Sequence, residues 1–172
     1  MTHLAPIRLT KELVLQALQD VKDPEIPVVS IVDLGIVQDI TLVGGRVTVS
    51  ITPTFTGCPA IELMRREIIE RVRALGADDV DVPIVLDPPW STDRIAPAGL
   101  AAMRSIGIAP PHPRFAADRS LSLTPAVEAV ACPWCGSTRT SLESAFGPTI
   151  CRSIHYCHEC RQSFEQFKAL GP

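Results

Sequence analysis

The 172-residue sequence lacks an apolar run long enough to cross a membrane, because charged residues, proline or glycine interrupt every apolar stretch well before about 18 residues. Its first residues have neither the basic region nor the apolar run of a signal peptide, so we expect a cytoplasmic protein. It also lacks a cluster of lysine and arginine, and its net charge is −3. Electrostatic binding to DNA or RNA needs several phosphate contacts, so we expect no nucleic-acid partner. The lack of a membrane-spanning run predicts no membrane partner.

The sequence contains no internal repeat, and its apolar share of 46% is sufficient for a packed core. Four prolines between residues 110 and 125 interrupt a stretch without apolar periodicity, which is typical of a stiff connector. We therefore expect a first domain over residues 1–108, a proline-rich linker over 109–127 and a small module over 128–172. A module of that size is too short to hold a core without a bound metal.

The first domain has the sequence pattern of an α+β fold. Apolar periodicity predicts three helices and three strands: helices over about 11–21, 59–75 and 97–106, and strands over about 36–43, 46–52 and 80–86. Gly44-Gly45 joins the first two strands and suits a type I′ hairpin, in which both central residues have positive φ. The order predicts a small mixed sheet with helices packed on one face.

Four of the six cysteines form two C-x-x-C pairs, Cys132 with Cys135 and Cys157 with Cys160. The pairs are separated by about twenty residues, which is typical of a zinc ribbon. Each pair can direct two thiolates at one ion, and two pairs complete a tetrahedral site. Two disulfides or four unconnected thiols are the alternatives, but the expected reducing location favours a structural zinc ion.

Cys58 lies just ahead of the longest predicted helix. Proline is favoured at a first helical position, so a helix that begins at Pro59 would have Cys58 as its N-cap. There the unpaired amides and the helix dipole favour negative charge, and we expect a lowered thiol pKa. The preceding loop, rich in threonine and glycine, is expected to leave the sulfur accessible. Cys58 is thus a candidate nucleophile or metal ligand, and the alternative is a partly buried, inert cysteine.

Asp23 and Glu25 flank a proline in the turn that follows the first predicted helix. They could be solvated carboxylates of a turn that simply ends the helix, because a residue before proline is forced out of the helical region. They could also form a polar site together with Cys58. Mixed thiolate and carboxylate ligands can hold iron, although nothing in these residues selects iron over zinc.

Five ordered motifs resemble the iron–sulfur cluster assembly family that includes SufT. They span about residues 10–108 and occupy residues 23–27, 31–37, 52–54, 57–59 and 88–90. With the ribbon and the ending Phe164-Glu165-Gln166-Phe167-Lys168, the whole chain resembles the PaaD (PaaJ) family of the phenylacetyl-CoA epoxidase system in phenylacetate degradation. Gln166 stands where that family's ending has aspartate, a departure that affects no ligand.

The resemblance implies an accessory, non-catalytic role in which iron or an iron–sulfur cluster is inserted into the epoxidase system. The family cysteine that matches Cys58 is the implicated transient ligand, and Asp23 and Glu25 would assist it. The implied partners are the epoxidase reductase with its [2Fe–2S] cluster, other oxygenase subunits and iron–sulfur assembly proteins. One cysteine cannot hold a cluster, so we expect a homodimer or a hetero-complex.

Two alternatives to this role differ in what they require of Cys58. A structural subunit of the oxygenase complex would use the zinc module to bridge other chains and would not need Cys58. An enzyme would use Cys58 as its nucleophile, but no general base is evident, because all four histidines lie in the termini, the linker or the ribbon.

Overall fold

The computed structural model of the protein describes residues 9–111 and 129–170. The chain divides into two compact units, the first ending at Pro89 and the second beginning at Trp90. This division lies before the domain boundary that the sequence predicts at residue 108. Strand pairing explains the difference, because residues just before the proline-rich stretch pair with a strand of the C-terminal sheet. Residues 112–127 of the predicted linker lie outside the described residues.

The first unit is an α+β fold with a mixed sheet, as the sequence predicts. Its elements are α1 Lys11–Leu18, β1 Val37–Val43, β2 Arg46–Ile51, α2 Ile61–Ala74 and β3 Asp79–Asp81. The sheet has the order β1-β2-β3, with β1 antiparallel and β3 parallel to β2. Helix α1 contacts β1, α2 contacts β3, and the helices contact each other, so both cover the same face of the sheet.

The apolar faces of the helices and of β2 form the core of this unit. In α1, Val14 and Leu18 are fully buried, and the Thr10 side chain caps the helix by accepting a 3.2 Å hydrogen bond from the Leu13 amide. The prediction that α1 reaches Val21 is wrong by three residues. The amides of Gln19, Asp20 and Val21 donate i→i−3 hydrogen bonds, which tighten the last turn out of α-helical geometry.

The β1–β2 hairpin has the turn that its two glycines predict. Gly44 and Gly45 have φ angles of +56° and +84°, which an L side chain adopts only with strain. The Asp78 carboxylate packs against Gly45 so closely that a Cβ there would overlap it, and the Asp78 amide donates a 3.1 Å hydrogen bond to the Gly45 carbonyl. The hairpin is thereby attached to the segment that enters β3.

Strand β3 is shorter than the predicted strand over 80–86. Its pairing with β2 is interrupted after Asp81, because Pro83 has no amide to donate. Pairing then resumes beyond the strand, since the Ile51 amide donates to the Pro83 carbonyl at 3.0 Å and the Val85 amide to the Ile51 carbonyl at 2.8 Å.

The described part of the second unit contains a four-stranded sheet, one α-helix and a short 3₁₀ helix at Thr92–Arg94. Its elements are α3 Pro97–Ser105, β4 Ile108–Ala109, β5 Thr140–Ser144, β6 Arg152–Cys157 and β7 Ser163–Phe167. The sheet has the order β4-β7-β6-β5, in which β4 is parallel to β7 and the other pairs are antiparallel. Trp90 is buried and makes an edge contact with Phe167, with ring centroids 6.1 Å apart. Within the described ranges, no helix is long and apolar enough to span a bilayer.

Candidate functional site

The two C-x-x-C pairs lie in tight turns of the second unit. In the first turn, the Gly136 amide donates to the Cys132 carbonyl at 2.9 Å, and the Cys132 amide donates to the Ser137 carbonyl at 3.0 Å. In the second, the Cys157 amide donates to the Gln162 carbonyl at 2.9 Å. Each turn ends in a residue with positive φ, +76° at Gly136 and +58° at Arg161. The two turns therefore have similar backbone conformations.

The ligand atoms of Cys132, Cys135, Cys157 and Cys160 all lie within 4.8 Å of one another. Two of the separations are 3.7 Å, from Cys132 to Cys160, and 3.6 Å, from Cys135 to Cys157. A tetrahedron with Zn–S bonds of 2.3 Å has sulfurs roughly 3.8 Å apart, whereas disulfide sulfurs are separated by about 2.05 Å. The arrangement therefore fits one tetrahedral zinc ion, which these four thiolates would hold, and it does not fit two disulfides.

The electrostatics of the four sulfurs agree with a cation site. Amide hydrogen bonds, foremost from Cys160, lower the pKa of Cys157 to about 7. Desolvation and the three neighbouring sulfurs raise the pKa of Cys160 to about 12. Four adjacent thiolates repel one another, and a divalent cation removes that repulsion and stabilises the anionic form that binds metal.

The metal turns are attached to the apolar core of the second unit. Cys132 and Cys157 are buried in a cluster with Ala109, Val130 and Phe164, and Cys160 packs against it. Cys135, in contrast, is exposed. Cys151 is buried away from the sulfur cluster, and its sulfur lies 3.0 Å from the Thr149 hydroxyl. An ion held by these four sulfurs would therefore join the two turns to the sheet, as a structural metal ion does.

Cys58 does not occupy the N-cap that the sequence predicts. The N-cap of α2 is Ala60, whose carbonyl accepts the 3.1 Å hydrogen bond from Met64 that opens the helix. Cys58 instead closes a turn, because its amide donates a 3.3 Å hydrogen bond to the Phe55 carbonyl. Gly57, the third residue of this turn, has φ of +88°, as a type II turn requires.

The predicted accessibility of the Cys58 sulfur is also wrong, since the residue is only 7% exposed. The preceding Thr56 and Gly57 are exposed, so the turn reaches the surface while the cysteine that closes it points inward. The Ile61 amide, in the first turn of α2, donates a 3.3 Å hydrogen bond to the Cys58 carbonyl. Cys58 is therefore hydrogen-bonded through its carbonyl to the first turn of α2, but its side chain is not exposed there.

Asp23 is buried, so the interpretation of its side chain as a solvated carboxylate is wrong. Its Oδ1 accepts hydrogen bonds from the amides of Glu25 at 2.8 Å and Ile26 at 2.9 Å, which fixes the turn after α1. Glu25 is partly exposed. Among residues 9–111 and 129–170, the four ribbon cysteines form the only group of three or more potential ligands close enough to share an ion. Asp23, Glu25 and Cys58 do not form such a group.

A polar network that the sequence reasoning missed holds the segment between α1 and β1. The buried Ser30 hydroxyl lies 2.7 Å from Gln19 Oε1 and 2.8 Å from Asp33 Oδ2, and it accepts a 2.9 Å hydrogen bond from the Asp33 amide. A serine three residues before an aspartate is a local turn signal that could have indicated it. The network fixes the loop that contains Asp23.

Two family models match the chain in succession. The model described as iron-sulfur cluster assembly protein matches residues 11–84, and the model described as PaaD zinc beta ribbon domain matches residues 116–168. The chain is 39% identical over 155 residues to an Escherichia coli (strain K12) protein described as a subunit of 1,2-phenylacetyl-CoA epoxidase, and the match covers 89% of each chain.

The first part of the chain is similar to shorter proteins. It is 36% identical over 92 residues to the Fe-S protein maturation auxiliary factor YitW of Bacillus subtilis (strain 168), covering 50% of this chain and 85% of the relative. A crystal structure of the domain of unknown function DUF59 from Bacillus anthracis superposes with a TM-score of 0.51 at 27% identity. It covers 54% of this chain and 90% of the other. The relatives thus separate the chain into an assembly-like part and an added ribbon.

Proposed function

The chain belongs to the PaaD family, and from this membership we propose that it is a non-catalytic maturation factor that assists the insertion of iron or an iron–sulfur cluster into a phenylacetyl-CoA epoxidase system. The observation that carries the proposal is the succession of two matches in one chain, an iron–sulfur assembly domain over 11–84 and a PaaD zinc ribbon over 116–168. The first match supports a role in iron–sulfur assembly, and the second, together with the Escherichia coli relative, supports a role in the epoxidase system.

Within the first unit, Cys58 is our candidate for the transient ligand of iron or of a cluster. Its turn leads directly into the N-terminus of α2, where the helix dipole favours an anionic ligand. Because the residue is mostly buried, the turn must open before the sulfur can meet a metal. Asp23 and Glu25 then act on the shape of the surrounding loop, since the Asp23 carboxylate is engaged with backbone amides.

A cluster bound at Cys58 needs further ligands from another chain. In the described part of the first unit, no three His, Cys, Asp or Glu side chains lie close enough together to share an ion. We therefore propose that the client, or a second copy of this chain, supplies the missing ligands, and that the reductase with its [2Fe–2S] cluster is the client. We place this activity in the cytosol, where thiols stay reduced.

The experiment that tests this function compares clients that mature with and without the factor. Cells that lack this chain would be complemented with the wild type, with Cys58→Ser or with Cys151→Ser, and the reductase would be purified and assayed for iron and sulfide. Cys151→Ser is the matched control, because Cys151 is another buried thiol outside the ribbon cluster. We expect iron and sulfide to fall only with Cys58→Ser. Equal client content in all three strains would contradict the proposal.

A second candidate function is that of a structural subunit of the oxygenase complex. It is favoured by the description of the Escherichia coli relative as a subunit, which implies a lasting association. On this alternative the chain remains bound to the oxygenase in fixed stoichiometry, and Cys58→Ser has no effect on either assembly or client iron. Co-purification followed by native mass spectrometry distinguishes the two.

A further inference from the structure

A pocket of about 390 Å³ lies on the sheet of the second unit, and neither the zinc site nor Cys58 accounts for it. We name it the Trp134 pocket. Its walls come from Ile106 and Gly107 at the end of α3, from Trp134 in the first metal turn, and from Arg152, Ile154 and Glu165 on β6 and β7. Its volume lies within the range of about 300–1,000 Å³ that is typical of ligand sites.

The aromatic wall of the pocket is held in place from two sides. Trp134 lies between Cys132 and Cys135, so metal binding by both cysteines would fix the backbone on either side of it. Its ring also packs directly on Gly107, where an added Cβ would overlap the indole. Despite these restraints Trp134 is 52% exposed, and the adjoining Ile106 is 40% exposed. A preformed apolar wall that remains open to solvent is typical of an interaction site.

The two charged side chains of the pocket, Arg152 and Glu165, form an ion pair with each other. Arg152 Nη1 donates to Glu165 Oε2 at 2.7 Å, and Arg152 Nε donates to the Thr149 hydroxyl at 2.9 Å. A charged ligand would have to compete with this pair. A peptide group needs one acceptor and one donor, and the hydroxyl of Ser163, an exposed residue of the pocket lining, can act as either. The polar side of the pocket therefore matches a peptide backbone rather than an anion or a cation.

We propose that the Trp134 pocket binds an extended, uncharged segment of a protein partner that inserts one apolar side chain between Trp134 and Ile154. The half-exposed rim argues for a protein, because small-molecule sites enclose most of their ligand. Only a macromolecular surface can also cover the exposed parts of Trp134 and Ile106. The identity of the partner as an epoxidase subunit rests on the proposed function, whereas the chemistry of the pocket does not.

The test measures binding of the zinc-loaded full chain to purified oxygenase and reductase subunits by isothermal titration calorimetry. The pocket variants are Trp134→Ala and Ile106→Asp. Their matched controls are Phe146→Ala and Leu142→Asp, which replace apolar residues of similar exposure, 68% and 46%, outside the pocket. We expect both pocket variants to raise the Kd for one subunit at least tenfold, and the controls to change that Kd less than threefold. One zinc per chain and an unchanged melting temperature establish that each variant is folded.

A second readout locates the contact by ¹⁹F nuclear magnetic resonance, and it needs a pocket substitution only to assign the signals. The chain has two tryptophans, so labelling with 5-fluorotryptophan gives two ¹⁹F signals. The signal that disappears in a Trp134→Phe sample belongs to Trp134. We expect that signal alone to shift when the partner is added, because Trp90 is buried.

Several outcomes would overturn the inference. Folded pocket variants that bind like the wild type would do so, as would a wild-type chain that binds neither subunit at 100 µM in about physiological salt. Loss of self-association instead would assign the pocket to a second copy, and a shift of the Trp134 signal by phenylacetate alone would assign it to a small molecule. The calorimetry contains no iron, so it does not depend on Cys58 as a ligand. A failure of the maturation proposal would appear as normal client iron in the Cys58→Ser strain and would leave the pocket result intact.

Discussion

Replacing Gly57 by alanine should make Cys58 reactive, because Cys58 closes the turn in which Gly57 has φ of +88°. A Cβ at Gly57 meets nothing within 4 Å, so the cost of the substitution is backbone strain alone. An L residue in this region costs about 1–2 kcal/mol, and each 1.4 kcal/mol is a tenfold change in an equilibrium constant. The open form of the turn, in which alanine relaxes, should therefore become about 5- to 30-fold more populated.

The assay is the rate at which N-ethylmaleimide modifies Cys58, followed by mass spectrometry of the peptide that contains it. When the turn opens and closes faster than the reagent reacts, this rate is proportional to the open population. Gly44→Ala is the matched control, because Gly44 also has positive φ and open space around its Cβ position, and it lies in the same unit. Both variants destabilise the fold by a similar amount, but only Gly57→Ala strains the Cys58 turn.

We expect Gly57→Ala to accelerate modification of Cys58 by about 5- to 30-fold relative to Gly44→Ala, because the positive φ costs an L residue about 1–2 kcal/mol in the closed turn. Equal rates in the two variants would mean that Cys58 becomes accessible by a route other than the turn. In that case the turn does not control access to the sulfur.

Three further predictions concern the fold and its metal. Removing zinc with a strong chelator should unfold the second unit, because zinc ribbons gain roughly 10–16 kcal/mol from the metal, which exceeds most domain stabilities; near-ultraviolet circular dichroism should lose the Trp90 signal, and its persistence would argue against a structural ion. Gly45→Ala should lower the melting temperature more than Gly44→Ala, since only Gly45 packs against the Asp78 carboxylate, and Asp78→Ala should remove the difference. Arg152→Met should destabilise the second unit more than Glu165→Gln, because Arg152 also donates to Thr149; equal chemical denaturation midpoints would contradict this.

The fold of the first unit could be predicted well because local signals and packing agree there. The paired glycines at 44 and 45 require a tight hairpin, and the four-residue spacing of Met64, Ile68 and Val72 places one helix face in the core. The ends of elements were harder to predict. Pro59 is a favourable first helical residue, yet α2 begins only at Ile61, because the preceding residues form the turn that Cys58 closes.

In the candidate site, too, local patterns indicate some features and not others. The C-x-x-C spacing indicates the sulfur cluster directly, because the ligands are local within each turn. The burial of Cys58 and Asp23 depends on how loops pack on the helices, and no local pattern encodes it. The Trp134 pocket depends on β4 pairing with β7, a contact between residues more than fifty positions apart that periodicity does not reveal.

The most direct test of the maturation account is the rate of cluster formation in purified apo-reductase, followed by the visible absorbance of its [2Fe–2S] cluster. The assay would supply iron and sulfide with an equimolar amount of this chain, as wild type, as Cys58→Ser or as Cys151→Ser. The account predicts faster formation with the wild type and with Cys151→Ser, and the unassisted rate with Cys58→Ser. Acceleration by Cys58→Ser equal to that by the wild type would contradict it.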